Sequence, residues 1–162
     1  MSSSVVRDPD WSRWLRSYLT SECSVELRTD RLRVRDLVAG NEFEFAPILA
    51  VDGQRRVVGI GSAAVAGAVK VYEPFVSAAA LDAEPLAARV ILQYAFSKLG
   101  RWSWLRPAPR VLLHAPKNGP GALDDFSDAT LHDLSQSAGA LRTIVHRGNA
   151  LSSEEARSRL RG

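Results

Sequence analysis

Cysteine is almost absent from this chain: Cys23 is the only one among 162 residues. A single thiol excludes an intramolecular disulfide framework and any zinc site built from several thiolates. Histidine is scarce as well. His114, His132 and His146 are well spread, without the close spacing of a metal motif, and no metal ligand is expected. Long apolar runs are missing too. The longest, Val57 to Val69, is short and interrupted by glycines and a serine, which does not suit a bilayer-spanning helix. Met1 to Trp11 holds no apolar core of signal-peptide type. The expectation is a cytoplasmic protein whose membrane contact, where there is any, is peripheral. Gly-x-Ser-x-Gly elbows, P-loops and metal-binding histidine pairs are absent. Lysine is rare. Arginine supplies 18 of the 21 basic residues, but it is scattered, and a net charge of +3 without a dense basic run argues against a nucleic-acid partner.

What is present stands out against these lacks. All four tryptophans fall in two arginine-flanked clusters, Trp11-Ser12-Arg13-Trp14-Leu15-Arg16 and Arg101-Trp102-Ser103-Trp104-Leu105-Arg106. An indole joins an apolar body to one N–H donor, which suits a boundary that is greasy on one side and wet on the other. Arginine beside it adds attraction to anionic headgroups. Core packing of the same indoles is the competing reading.

The rest reads as one domain with its own core, at 46% hydrophobic content. Asp8-Pro9-Asp10 is a helix start. Behind it Trp11, Trp14, Leu15, Tyr18 and Leu19 occupy an arc of roughly 140° on a helix, with Arg16 on the polar side. From Ser24 the period shifts towards two. Val25 to Arg28 and Leu32 to Leu37 read as a hairpin turning at Thr29-Asp30, and Phe43 to Val51 reads as a third strand. Arg56 to Ile60 follows the Asp52-Gly53 turn, then a small-residue helix around Ser62 to Ala68 and an extended piece from Val69 to Phe75. Pro85 to Leu99 reads as a helix stopped by Gly100, and Val111 to Ala115 as a buried strand closed by Pro116. Leu123, Phe126, Leu131 and Leu134 mark an amphipathic helix, and Leu141 to His146 a last strand. Ser152-Ser153-Glu154-Glu155 caps a short charged helix. Three antiparallel strands followed by strands alternating with helices predict an α/β fold on a mixed sheet. His114, in a buried strand, reads as a satisfied core histidine. The acid pairs Asp124-Asp125 and Glu154-Glu155 read as solvated helix ends.

Several stretches together carry a family resemblance. Leu19 to Thr29 resembles the opening of MreB, the bacterial actin-like rod shape-determining family, in which a strand carries Asp-x-Gly-Thr. Ala46-Pro47-Ile48-Leu49-Ala50-Val51 is similar to its Pro-Ser-Val-Val-Ala strand, and Val58 to Ala64 to its Ala-Val-Gly-x-x-Ala-Lys stretch. Leu105-Arg106-Pro107-Ala108-Pro109-Arg110-Val111 is similar to its Arg-Pro-x-Pro-Arg-Val run, and Ser137-Ala138-Gly139-Ala140 to its Ala-Gly-Ala. The resemblance implies an actin-like, ribonuclease-H-like subdomain with a mixed five-stranded sheet ordered 3-2-1-4-5 and flanking helices. It implies an organisation of residues 1–21 as N-terminal amphipathic helix, 22–148 as the subdomain and 149–162 as a charged C-terminal tail. Only about the first half of a full-length actin-like protein is matched.

The departures from the family pattern bear on chemistry. Its phosphate loop needs glycine so that backbone N–H groups can approach phosphates closely. Arg28 stands at that glycine, Glu26 at the aspartate, and Thr29 alone is kept. The family's acid near the attacking water falls near Leu123, with Asp124 and Asp125 close by, and its Glu-Glu-Pro corresponds to His146-Arg147-Gly148. With the clamping second domain unmatched, the expectation is a non-catalytic chain with no cofactor; Glu26, Arg28 and Thr29 form a degenerate, inactive phosphate loop. The resemblance also assigns Trp11, Trp14, Leu15, Arg16, Tyr18 and Leu19 to a membrane-binding helix, and Trp102, Trp104, Leu105 and Arg106 to a membrane-binding loop. The partners implied are anionic lipid of the cytoplasmic membrane and a full-length MreB-type protein or wall-synthesis components. Two alternatives stay open: a residual ATP-binding protein completed by another chain, and a soluble interaction module.

Overall fold

A computed structural model describes residues 21–99 and 108–162. The N-terminal amphipathic segment and the second tryptophan cluster lie outside the described residues. So does the proposed stop at Gly100.

The main sheet has five strands: β1 (Glu22–Leu27), β2 (Leu32–Asp36), β3 (Glu42–Phe45), β7 (Arg110–His114) and β8 (Arg142–His146). Its order is β3-β2-β1-β7-β8, with β1 antiparallel to β2 and parallel to β7. Counting only these strands, the order is the expected 3-2-1-4-5. A smaller antiparallel sheet, ordered β5-β4-β6, holds β4 (Leu49–Val51), β5 (Val57–Ile60) and β6 (Lys70–Tyr72).

Alternation along the strands gives the main sheet two unlike faces. Cys23, Val25 and Leu27 of β1 line up with Leu32 and Val34 of β2 and with Val111 and Leu113 of β7. All join one buried cluster with α2 (Pro85–Ser97) and α3 (Asp128–Ser137). Helix α2 begins on Pro85, whose missing N–H costs nothing at a first turn, and buries Ala88, Ile91, Leu92 and Ala95. The opposite face carries Glu22, Ser24 and Glu26 of β1, the Arg33 and Arg35 pair of β2, and Leu112 and His114 of β7. Helix α4 (Ser153–Arg161) packs there, setting Ala156 and Leu160 against Leu37 and Leu112. Its start is the expected cap: Ser152 accepts from the Glu155 N–H while the Glu155 carboxylate takes the Ser152 N–H.

The structure corrects four expectations. Phe43 to Val51 is two strands in two sheets, because Pro47 has no N–H for a ladder and the Ala46 carbonyl turns back to the Ile48 N–H at 2.8 Å. The small-residue helix shrinks to one 3₁₀ turn, Ser62–Val65. Leu123 and Phe126 precede α3, which starts only after its Ser127 cap. Helix α1 (Ala78–Ala83) was not expected: it buries only Leu81, so it has no apolar period to read, and Ser77 caps it. Among the described residues, no helix is long and apolar enough to cross a membrane.

Candidate functional site

In open α/β sheets ligands gather beyond the carboxyl ends of the parallel strands. Here that edge lies at the carboxyl ends of β1, β7 and β8, where Glu26, His114 and His146 stand in register across three neighbouring strands. The three side chains therefore share a face, the one occupied by α4. The turn after β1 (residues 28–31) and the loop after β7 (residues 116–127) rise above them.

The turn is closed by Arg28 N–H donating to the Arg31 carbonyl at 2.8 Å. Arg28, at the position where the resembling family has glycine, fits without strain, since Arg55 is the one non-glycine residue with positive φ among those described. Its guanidinium folds back. Arg28 Nε lies 2.7 Å from Glu26 Oε1, and its Nη1 donates to the Pro120 carbonyl at 2.6 Å. Arg31 reaches the same carboxylate oxygen at 3.3 Å. Burial pushes the Glu26 carboxyl up, but the Arg28 hydrogen bond and the charges of Arg28, Arg31 and His114 outweigh it and hold Glu26 below the usual range.

The backbone ties the two loops together as well. Thr29 N–H donates to the Gly121 carbonyl at 3.0 Å. Gly121 has φ +69, and a Cβ there would lie 2.8 Å from Asp30 Oδ1 and 3.2 Å from both Arg28 Cβ and Thr29 Oγ1. The positive φ and the close Arg28 and Thr29 side chains together favour glycine there. Glu26, Arg28 and Thr29 are thus brought together as a closed knot, in which the carboxylate, the guanidinium and the Thr29 N–H all bond within the protein.

The acids near the expected water position are otherwise engaged or exposed. Asp125 Oδ2 accepts the Ala78 N–H at 2.7 Å, capping α1, and Asp124 is exposed. His114 is buried, 6% exposed, and its Nε2 sits 2.8 Å from the Gly148 carbonyl, a satisfied histidine. His146 Nε2 lies 2.7 Å from the Asn149 carbonyl while Arg159 Nη1 lies 3.2 Å from its Nδ1. A carbonyl only accepts and a guanidinium only donates, so this pairing fixes the His146 tautomer with the hydrogen on Nε2. Arg147, where the family has an acid, donates through Nη2 to the Leu123 and Phe126 carbonyls at 2.7 and 2.9 Å and pairs with Asp128 at 3.3 Å. It clamps the long loop to the end of β8. Among the described residues, no three His, Cys, Asp or Glu side chains form a group that could hold a metal ion.

Sequence reasoning missed the loop partners Pro120 and Gly121, the second arginine on Glu26, and the clamp at Arg147. The Gly119-Pro120-Gly121 run was the available signal, since glycine next to proline marks a backbone held in a special path.

The fold is similar to that of MreB 5 of Spiroplasma citri, solved bound to AMPPNP. The TM-score is 0.59 and the identity 19%, over 79% of this chain and 38% of that one. The structure of MreB5 from the same organism bound to ADP is similar at TM-score 0.59 and 18% identity, over 80% of this chain and 39% of that one. This chain therefore spans less than half the length of the solved proteins it matches, and the likeness establishes an actin-like fold. No protein-family model matches the chain, and no curated protein matches it.

Proposed function

We propose that this chain is a non-catalytic, MreB-like component of the bacterial cytoskeleton, associated peripherally with the inner face of the cytoplasmic membrane. It contributes to cell shape or wall synthesis by binding other proteins, among them a full-length MreB-type protein or the wall-synthesis components. The observation that carries the non-catalytic reading is the position of Arg28. Its side chain occupies the turn where a phosphate-binding glycine would leave room, and it is pinned by Glu26 at 2.7 Å and the Pro120 carbonyl at 2.6 Å. A triphosphate would have to displace both partners, and the ionised Glu26 behind them repels it. Preorganised N–H groups aimed at phosphate oxygens are what nucleotide catalysis draws on, and here the Thr29 N–H is spent on Gly121.

The membrane part of the reading rests on the two tryptophan–arginine clusters of the sequence. Two weak anchors on one chain reinforce each other through effective concentration. Flotation with anionic vesicles tests it. The parent chain is expected to rise with the vesicles, and a Trp11→Ala, Trp14→Ala, Trp104→Ala variant to stay behind. Equal flotation of the two, or none by the parent, overturns the membrane assignment.

A further inference from the structure

Strand β3 is the last strand of the main sheet, and among the described residues no strand pairs with its outer edge. An unpaired edge presents a row of backbone donors and acceptors that an extended chain can use. Its side chains give that edge a defined chemistry. Glu42 and Glu44 stand on one face, 39% and 43% exposed, and Phe43 and Phe45 on the other. The phenylalanines form a platform: Phe45 meets Tyr94 edge-on at 5.1 Å, Phe43 meets Tyr94 at 6.3 Å, and Lys98 Nζ lies 4.8 Å from the Phe43 ring.

The inner edge of β3 already displays what fits it. Strand β2 sets Val34 opposite Phe43, Arg33 opposite Glu44 and Arg35 opposite Glu42. Arg33 lies 2.8 Å from Glu44 and 3.1 Å from Glu42, and Arg35 lies 2.9 Å from Glu42. Both carboxylates stay exposed with their arginines in place, and a strand added beyond β3 would meet the same alternation of acid and aromatic. A second copy of β3 is not complementary to it. Any register that keeps the aromatic faces together sets glutamate against glutamate, which is destabilising.

We propose that the outer edge of β3 docks an extended segment of a partner protein in which arginine or lysine alternates with apolar residues. The segment adds a sixth strand, its apolar side chains continuing the Phe43–Phe45–Tyr94 platform and its basic ones pairing with Glu42 and Glu44. The residues of this surface are not those of the knot around Arg28.

The test is a titration of the whole isotope-labelled chain with a short peptide alternating valine and arginine, followed by amide NMR. Shifts are expected to concentrate on Glu42–Phe45 and on β2 behind it. The same peptide N-methylated at alternate residues on its pairing edge keeps its charge but cannot form the ladder, and should bind at least about tenfold more weakly. A valine–glutamate peptide should not bind. Glu42→Gln with Glu44→Gln should reduce the preference for the arginine peptide over a valine–threonine one by about fivefold. The proposal is overturned by three results: no binding of the valine–arginine peptide, equal binding of its methylated form, or shifts that map away from β3. None of these readouts requires the double variant to fold.

Discussion

Glu22 and Glu26 stand at opposite ends of β1, on the same face of the sheet, and each is gripped by two arginines. At the start of the strand, Glu22 is 6% exposed in its side chain and takes Arg157 at 3.1 Å and Arg161 at 3.2 Å, both from α4. At the far end, Glu26 is 18% exposed and takes Arg28 and Arg31 from its own turn. The partners explain the difference in outcome. The first carboxylate joins residues more than a hundred positions apart and fixes a helix to the sheet. The second joins close neighbours and fills a loop that the resembling family keeps open for phosphate. One device ties a helix to the sheet at one end and, in the proposed reading, closes the phosphate position at the other.

The largest expected effect comes from breaking the first grip. Glu22→Gln leaves two guanidinium groups without their shared charge and should cost about 2 kcal/mol, read as a lower urea midpoint. Glu26→Gln should cost about 1 kcal/mol in the same measurement, because its group is more exposed and its partners are local.

Acid sharpens the contrast. Burial raises the Glu22 carboxyl, but hydrogen bonds and charge from Arg161 and Arg157 bring it below its ordinary 4.5, as the arginines do for Glu26. With folded values depressed, the unfolded chain takes up protons first as pH falls. Both carboxylates thus stabilise the fold above about pH 4.5, and that contribution is lost as pH drops through the folded values. The parent should lose stability as pH falls below about 4.5. Glu22→Gln should show a shallower loss over that window, and an unchanged slope would place the acid sensitivity elsewhere.

Ser152→Ala removes the cap of the helix that Glu22 secures and should cost about 1 kcal/mol. Added to Glu22→Gln it should cost less than when made alone, since an already loosened helix gains less from its cap; additivity of the two would argue against coupling. Smallest of all, Arg28→Gly should change stability by under about 1 kcal/mol, its lost ion pair being local to one partly exposed turn.

The hairpin was legible because alternating apolar residues and turn residues agree over β1 and β2, whereas the strand order came through the family resemblance. The capping box of α4 was legible because its four residues are contiguous. Phe43 to Val51 misled because apolar continuity runs across Pro47, where backbone chemistry ends one ladder before the other begins. Leu123 and Phe126 misled because buried loop residues happened to extend the helical spacing of Leu131 and Leu134. Within the site, Glu26, Arg28 and Thr29 were visible through the resemblance alone. Their closure was not, since it depends on Pro120, 92 positions from Arg28, and on a glycine whose role appears only when two loops meet.

The central claim is that Arg28 and Glu26 close the phosphate position, and calorimetry with AMPPNP and magnesium on the parent chain tests it most directly. No heat of binding at millimolar nucleotide is the predicted result. Micromolar affinity that Arg28→Ala abolishes would contradict it, making that arginine a ligand for phosphate rather than the group that shuts it out.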